Sequence, residues 1–270
     1  MFIRIGYDII FNLPATTPFL LMLNVHPTRF PSLRGPEQIQ IDPFVQTTPF
    51  IDCFGNTCGR IVAMAGQLRL RNTAVVFDDG LLDPIDLGAQ QHLIDQLPAE
   101  VLQFLLASRY CEVDLLKDIA WSLFSTAAVG WPRVHAICNW VHANVKFGYQ
   151  FARNTKSAME VYNERQGVCR DFMHLAIAFC RSMNIPARYA TGYLGDIGVP
   201  VSPAAMDFSA WFEVYLGGRW WTMDARHNER RIGRVLMGRG RDAADVALTT
   251  AFGVANLQQF KVITEEVPGF

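Results

Sequence analysis

A long helix with a regular apolar pattern is predicted near the middle of the chain. Residues 168–183 carry apolar side chains at i, i+4, i+7, i+8, i+11, i+12 and i+15, which is the spacing of one helix face. Asn184 suits a left-handed cap and Pro186 stands just beyond it. The pattern predicts a buried helix that must pack its apolar stripe against another layer.

Segments with β periodicity lie on both sides of this helix. Residues 1–85 contain short apolar or alternating runs separated by Pro and Gly turns, which favours a small antiparallel sandwich. Residues 98–149 have helical spacing, and strands follow over 187–224. The sequence therefore predicts an α+β protein, with an N-terminal antiparallel β-sandwich-like domain over 1–90 and a second domain over 91–270.

Composition excludes several classes of function. The 270 residues are 50% apolar with a net charge of -1, which is typical of a packed globular protein and gives no reason to expect a nucleic-acid partner. The N-terminus lacks the features of a signal peptide, and the apolar run Phe19–Val25 is too short to span a bilayer. We expect a cytoplasmic protein with no membrane partner.

The six cysteines are irregularly spaced and show no paired Cys-x-x-Cys zinc pattern. We therefore expect no metal and no cofactor. Cys53 and Cys58 flank the turn sequence FGNT. Two ordinary thiols are favoured there, and a disulfide or a metal pair is the alternative.

Cys169 differs from the other cysteines in its position. It follows the turn at Gly167 and lies in the first turn of the predicted helix, off its apolar stripe. The helix dipole and the free N–H groups of a first turn stabilise a thiolate. The alternative is a small buried hydrophobic residue, as most free cysteines are, but the position off the stripe favours a reactive thiol.

A hairpin after the helix predicts a second group of polar residues. Its Gly217-Gly218 loop fixes the register, so that Trp211 faces Asp224 and Ser209 faces Arg226. Ser209 and Asp224 then become diagonal neighbours on one face of the ladder. A base at position 209 could be oriented by the Asp224 carboxylate.

Three motifs occur in order: G-V-C-R-D at a helix start, an A-W-x-E-V-Y strand and a W-x-x-x-D strand. From roughly Ser108 to Asn228 the chain resembles the transglutaminase-like superfamily of papain-type thiol enzymes, and residues 1–90 resemble the N-terminal β domain of bacterial members. The resemblance implies a papain-like transglutaminase core and a Cys–His–Asp triad that transfers acyl groups from amides of peptides or proteins. Cys169 matches the nucleophile and Asp224 the acid that orients the histidine.

The chain departs from the family at the histidine. The family has His immediately before the Ala-Trp pair, and this chain has Ser209. A serine hydroxyl cannot usefully accept a proton near neutral pH, and general acid–base help is worth on the order of 10²–10⁴ in rate.

Two other histidines are candidates to support or replace that group. His227 is the first candidate for a substitute base, although the hairpin register points it away from Asp224 unless a bulge or a strand end at Ala225 turns it around. His174 is five residues along the helix from Cys169, which makes it a structural residue or one beside the site. Members of the family often carry a histidine there.

Five further residues are candidates to line the cleft. Glu213 and Trp211 share a face with Ser209, whereas Trp220 shares the face of Asp224; Arg170 and Asp171 flank the thiol. Packing is the alternative for the tryptophans, and a salt bridge that caps the helix is the alternative for Arg170 and Asp171.

Two functions follow from this pattern. The first is a cysteine peptidase, amide hydrolase or acyl transferase that works through a thioester with an altered triad. The second is a catalytically inactive member of the family that binds peptides or a protein partner. The sequence leaves open whether water or an amine would reach the thioester.

Overall fold

The computed structural model describes residues 1–202 and 205–268 and confirms the α+β fold class. Its α-helices are α1 (Ala99–Leu102), α2 (Val113–Phe124), α3 (Trp131–Asn144), α4 (Ala158–Glu164) and α5 (Cys169–Ser182). Its strands are β1 (Phe2–Leu13), β2 (Thr17–Leu21), β3 (Gln40–Asp42), β4 (Thr48–Ile51), β5 (Thr57–Ala63), β6 (Gly66–Phe77), β7 (Lys146–Phe147), β8 (Gln166–Gly167), β9 (Ala187–Tyr193), β10 (Ser209–Leu216), β11 (Arg219–Met223), β12 (Val235–Gly240), β13 (Thr249–Ala251) and β14 (Asn256–Val267).

The N-terminal β region consists of two antiparallel sheets. One has the strand order β14-β1-β6-β3 and the other has the order β13-β2-β5-β4. Apolar side chains from both sheets form one core, including Ile5, Phe19, Ile61 and Leu70. The predicted β region is therefore present, and within it Cys53 is an exposed free thiol and Cys58 a buried one.

The end of the chain returns to this region. Strand β14 pairs antiparallel with β1 from Phe2 opposite Val267 to Asn12 opposite Asn256. Strand β13 likewise adds to the edge of the second sheet beside β2. A division of the chain at residue 90 remains a prediction, and the structure adds that the last strand completes the first sheet.

The second half of the chain places α5 between two layers. On one side α5 packs on the antiparallel sheet β11-β10-β9-β12, and on the other side it packs on α2, α3 and α4. The sequence predicted one buried stripe, but every residue from Asp171 to Ser182 is buried. The helix can bury Arg181 because its guanidinium donates to the carbonyls of Ala187 (2.9 Å) and Leu106 (3.0 Å).

The segment before α5 fixes where that helix begins. A capping box between Ser157 and Glu160 starts α4, and β8 then pairs in parallel with β7. A Cβ on Gly167 would lie 2.6 Å from the Asp171 Cβ, so this position requires glycine. At the other end of α5, Asn184 has a φ of 61°, as the sequence predicted.

Within residues 1–202 and 205–268, no helix combines the length and the apolar character needed to cross a membrane.

Candidate active site

Cys169 is the first residue of α5 and is partly exposed to a cavity of about 290 Å³. Polar side chains from several elements surround this cavity, which we call the thiol cavity. They are Tyr149, Cys169, Asp196, Ser202, Asp207, Ser209, Arg226, His227, Glu229 and Arg231. Ser209 and His227, the sequence candidates for the base position, therefore both lie at the cavity that holds the thiol.

Hydrogen bonds at the start of α5 hold Cys169 in place. The Val168 N–H donates to Asp171 Oδ2 (3.0 Å), which caps the helix. Arg170 is paired with the other oxygen of the same carboxylate at 3.1 Å. Arg170 and Asp171 thus bind each other and fix the helix start, and neither lines the thiol cavity.

The environment of Cys169 does not favour a free thiolate. Burial raises the pKa of the Cys169 thiol, and the Asp207 carboxylate raises it further. The Arg226 charge and the N–H groups of Ala210 and Arg170 act in the opposite direction without overcoming burial. Its position at a helix N-terminus therefore does not bring the pKa of the Cys169 thiol below its usual value.

The predicted hairpin register is confirmed from Phe212 opposite Met223 to Leu216 opposite Arg219. Strand β11 ends at Met223, and the chain turns at residues 225–227. The ladder therefore stops one residue before Asp224, and the pairs predicted beyond it are not formed.

This turn brings His227 back to Asp224. The N–H groups of Arg226 and His227 both donate to Asp224 Oδ1 at 3.0 Å. His227 Nδ1 lies 2.8 Å from Asp224 Oδ2. The sequence analysis gave a bulge or a strand end at Ala225 as the condition for this contact. The strand ends earlier, at Met223, and the turn at residues 225–227 lets His227 and Asp224 form a hydrogen-bonded pair.

Asp224 is ionised in this arrangement. Burial raises the pKa of Asp224, but the hydrogen bond from His227 and the charge of Arg234 outweigh it and hold the pKa well below its usual range. Arg234 Nη2 donates to Oδ2 at 3.0 Å. Because an ionised carboxylate only accepts, His227 Nδ1 must carry a proton, so Nε2 is the nitrogen that can take up or release one.

The Ser209 side chain has no hydrogen bond comparable to the one between His227 and Asp224. Its carbonyl accepts a hydrogen bond from Thr191 Oγ1 (3.0 Å). Among the described residues, no hydrogen bond joins the Ser209 hydroxyl to Asp224 or to any other group. The structure thus places Ser209 at the cavity without an orienting partner.

The structure does not bring the predicted cleft residues Trp211, Glu213 and Trp220 to Cys169. Trp211 and Glu213 line a separate cavity of about 340 Å³. The Glu213 carboxylate is paired with Arg188 (2.6 Å) and Arg239 (3.0 Å). The Trp220 ring lies beneath the Arg188 guanidinium at 4.0 Å.

His174 is structural in this fold. It is fully buried, its Nε2 accepts the Ala243 N–H at 3.1 Å, and its ring stacks on Tyr110 with centroids 4.9 Å apart. Burial lowers the pKa of His174 well below its usual range, so the ring is neutral. It does not line the thiol cavity.

Sequence reasoning missed five charged residues that line the cavity: Asp196, Asp207, Arg226, Glu229 and Arg231. The sequence analysis named Arg226 only as the residue predicted to pair with Ser209 in the hairpin. Asp207 stands two positions before Ser209, and the period of a strand places such residues on one face. That alternation was the available signal.

No group of three or more His, Cys, Asp or Glu side chains in the described part of the chain is placed to hold a metal ion.

A central helix that begins with a cysteine and packs on an antiparallel sheet is the architecture of papain-like thiol proteins. The family model for the transglutaminase-like superfamily matches residues 119–225. A crystal structure of a provisionally assigned cysteine protease from Cytophaga hutchinsonii is 30% identical, with a TM-score of 0.84. The similarity covers 100% of this chain and 92% of that one. The chain belongs to the transglutaminase-like superfamily.

Curated relatives match a shorter part of the chain. An uncharacterized protein of Mycobacterium leprae is 36% identical over 97 residues, which is 34% of this chain and 33% of that protein. An uncharacterized protein of Mycobacterium bovis is 36% identical over 96 residues, which is 32% of this chain and 31% of that protein. The match thus spans about a third of these relatives. The family match includes Cys169, Ser209 and Asp224 and ends two residues before His227.

Proposed function

We propose that the protein is a cysteine-nucleophile amide hydrolase or acyl transferase that acts on peptide or protein substrates. In this proposal Cys169 is the nucleophile, His227 is the base, and Asp224 orients His227. The observation that carries it is the 2.8 Å contact between His227 Nδ1 and Asp224 Oδ2, with His227 and Cys169 at one cavity. Ser209 occupies the place of the family histidine and takes no proton.

The chemistry proceeds through a thioester. His227 Nε2 takes the proton from the Cys169 thiol, and the sulfur attacks the amide carbon to form a tetrahedral intermediate. The imidazolium then gives its proton to the departing amine, and the carbon–nitrogen bond breaks. Water or a second amine attacks the thioester, losing a proton to His227, and the Cys169 sulfur leaves and is reprotonated.

Asp224 supports both proton transfers. Its ionised carboxylate stabilises the imidazolium that forms in the first step, and it holds the ring in the tautomer whose Nε2 faces away from it. Arg234 shares Oδ2 and keeps the carboxylate ionised. Because burial raises the pKa of the Cys169 thiol, the base is required rather than optional.

A second candidate is a binding protein without catalysis. Two observations favour it: the raised pKa of the Cys169 thiol and the absence of the family histidine at Ser209. A site that only binds peptides would need neither a displaced base nor a hydrogen bond between that base and an acid, so the His227–Asp224 contact weighs against it.

The test measures three substituted proteins in a peptide amidase assay and in an assay for amine incorporation into a glutamine-containing protein. His227→Ala should lower the rate by about 10²–10⁴ because the general acid–base group is lost. Ser209→Ala, the matched control at the family position, should stay within a few-fold of the parent. Cys169→Ala should abolish the activity.

Two results would count against the enzyme. One is equal activity of the His227→Ala and Ser209→Ala proteins. The other is an inactive parent whose Cys169 is alkylated as a free thiol with a pKa of about 8.5, which would favour the binding protein.

A further inference from the structure

We propose that Arg226 supplies the positive charge that stabilises the Cys169 thiolate and that Asp207 opposes it. The two tasks of a triad histidine are then divided between adjacent residues, because His227 moves the proton and Arg226 provides the lasting charge. This inference rests on the proposed function only in taking Cys169 as the nucleophile.

Both backbone polar groups of Arg226, in the turn after β11, form hydrogen bonds. Its N–H donates to Asp224 Oδ1 (3.0 Å), and its carbonyl accepts a hydrogen bond from His142 Nδ1 (2.7 Å). Its guanidinium carbon lies 3.9 Å from the centroid of the Phe147 ring. The backbone hydrogen bonds and the contact with Phe147 therefore fix the position of the Arg226 guanidinium at the thiol cavity.

The guanidinium of Arg226 has no competing partner. It forms no hydrogen bond or ion pair with any residue in 1–202 or 205–268. Arg231, which lines the same cavity, differs because its guanidinium donates to the Gly195 carbonyl (2.9 Å) and lies 3.9 Å from the Asp196 carboxylate. Arg226 is thus the cavity guanidinium that no carboxylate neutralises by direct contact.

Other ionisable groups face Cys169 from the elements packed around it. Arg170 and Asp171, on its own helix, are paired at 3.1 Å and largely cancel each other. Tyr149, which follows β7, and Tyr189 on β9 are neutral near pH 7, because burial raises the pKa of each.

Asp196, Glu229 and Arg231 also line the cavity, and Arg231 lies 3.9 Å from the Asp196 carboxylate and 3.8 Å from the Glu229 carboxylate. The other charged or titratable side chains at the cavity are His227, Arg226 and Asp207. Asp207 precedes β10 and carries the opposing charge; its own carboxylate accepts the Phe208 N–H at 2.7 Å. Arg226 lowers and Asp207 raises the pKa of Cys169. Charges at a partly buried site interact more strongly than in water, so the balance between these two groups sets the thiolate fraction.

An arginine differs from an imidazolium in one respect that matters here. Its guanidinium stays protonated throughout the working pH range. It therefore keeps its charge after the imidazolium has given its proton to the leaving amine. The same property prevents Arg226 from acting as the base, so Arg226 and His227 cannot exchange roles.

The experiment measures the pH dependence of Cys169 alkylation by iodoacetamide, with the Cys169 peptide quantified by mass spectrometry in the full-length protein. Arg226→Gln should raise the midpoint by about one pH unit, and Asp207→Asn should lower it. Arg226→Lys keeps the charge and should restore most of the parent profile.

Arg219→Gln is the matched control. Arg219 also lies over an aromatic ring, at 4.1 Å from Trp221, but it is exposed at the hairpin loop away from the thiol cavity. Its removal should leave the midpoint unchanged. Circular dichroism of each variant reports whether the fold is retained, and the Asp207→Asn and Arg226→Lys arms decide the matter if Arg226→Gln does not fold.

The proposal is overturned if the iodoacetamide midpoint of Arg226→Gln equals that of the parent, or if Arg219→Gln shifts it equally. A parallel series with anionic iodoacetate detects a different role. If Arg226→Gln slows iodoacetate alone, Arg226 binds an anionic group and does not stabilise the thiolate, which also overturns the proposal. Shifted midpoints in a protein with no amidase activity would instead refute the proposed function and leave this inference standing.

Discussion

At the scale of single residues, a turn after β11 brings His227 to Asp224, whereas position 209 holds a serine. The hairpin register was predictable, because a two-residue glycine loop leaves little freedom in pairing. The end of β11 at Met223 was not, because the next residues, Asp224 and Ala225, carry no glycine or proline to mark a break. His227 could thus be named as a candidate, but its contact with Asp224 depends on a backbone turn that local sequence does not specify.

The ionised state of Asp224 should appear in the pH dependence of stability. Its folded pKa lies well below its usual value, so its contribution is present above the unfolded pKa of about 3.9 and is lost as pH falls through the folded value. Asp224→Asn should lower the free energy of unfolding at pH 7 by about 3–5 kcal/mol, because it leaves a buried Arg234 charge incompletely paired. Urea unfolding at pH 7 and at pH 3 measures both effects.

The difference in the free energy of unfolding between the parent and the Asp224→Asn protein should be smaller at pH 3 than at pH 7. Asp86→Asn is the control, because Asp86 is exposed and contacts its own loop through the Gly88 N–H (2.9 Å). Its free energy of unfolding should stay within about 0.5 kcal/mol of the parent at both pH values. A difference for Asp224→Asn that is the same at pH 7 and pH 3 would contradict the assigned charge state.

At the scale of elements, the start of α5 decides where the thiol lies. The apolar spacing located this helix correctly, but spacing reports one face, and it could not show that His174 and Arg181 are buried as well. Their burial depends on acceptors and donors that other segments supply, such as the Ala243 N–H. The short helix α4 carried a Ser157-x-x-Glu160 capping signal that was available and went unused.

Gly167→Ala should move the start of α5. The added methyl group would meet the Asp171 side chain, whose Oδ2 caps the helix at 3.0 Å from the Val168 N–H. We expect a loss of about 1–3 kcal/mol in the free energy of unfolding, and a changed rate of Cys169 alkylation because the thiol moves with the helix. Denaturant unfolding and peptide-resolved alkylation measure the two effects.

Gly88→Ala is the matched control for this glycine. A Cβ there would approach the Asp86 Oδ1 at 3.4 Å, and Gly88 has ordinary backbone angles. Its stability and its Cys169 alkylation rate should equal those of the parent. If Gly167→Ala behaves like Gly88→Ala, the close approach of Gly167 to Asp171 does not determine the helix start.

At the scale of the whole molecule, the two predicted parts share their interiors. Tyr193, Phe208, Val235 and Met237 belong to the core between the N-terminal sheets, although they lie more than a hundred residues after β6, which ends at Phe77. Conversely, Met22 and Cys58 belong to the core around α5. The change from short β runs to helical spacing indicated a boundary near residue 90. Pairings between distant segments leave no local pattern, so neither the shared cores nor the return of β14 was predictable.

This sharing predicts that the chain unfolds as one unit. All six tryptophans lie at or beyond position 121, so their fluorescence reports the second part, whereas hydrogen exchange of the paired amides of β1 and β6 reports the first. The two probes should give the same denaturant midpoint, as two-state unfolding requires.

A fragment of residues 91–270 should bind a hydrophobic dye and lack the near-ultraviolet dichroism of the full chain, since Phe208 and Val235 would lose the strands they pack on. Separated midpoints, or a fragment with native dichroism, would show instead that residue 90 divides two independent domains and that β14 is only an appended strand.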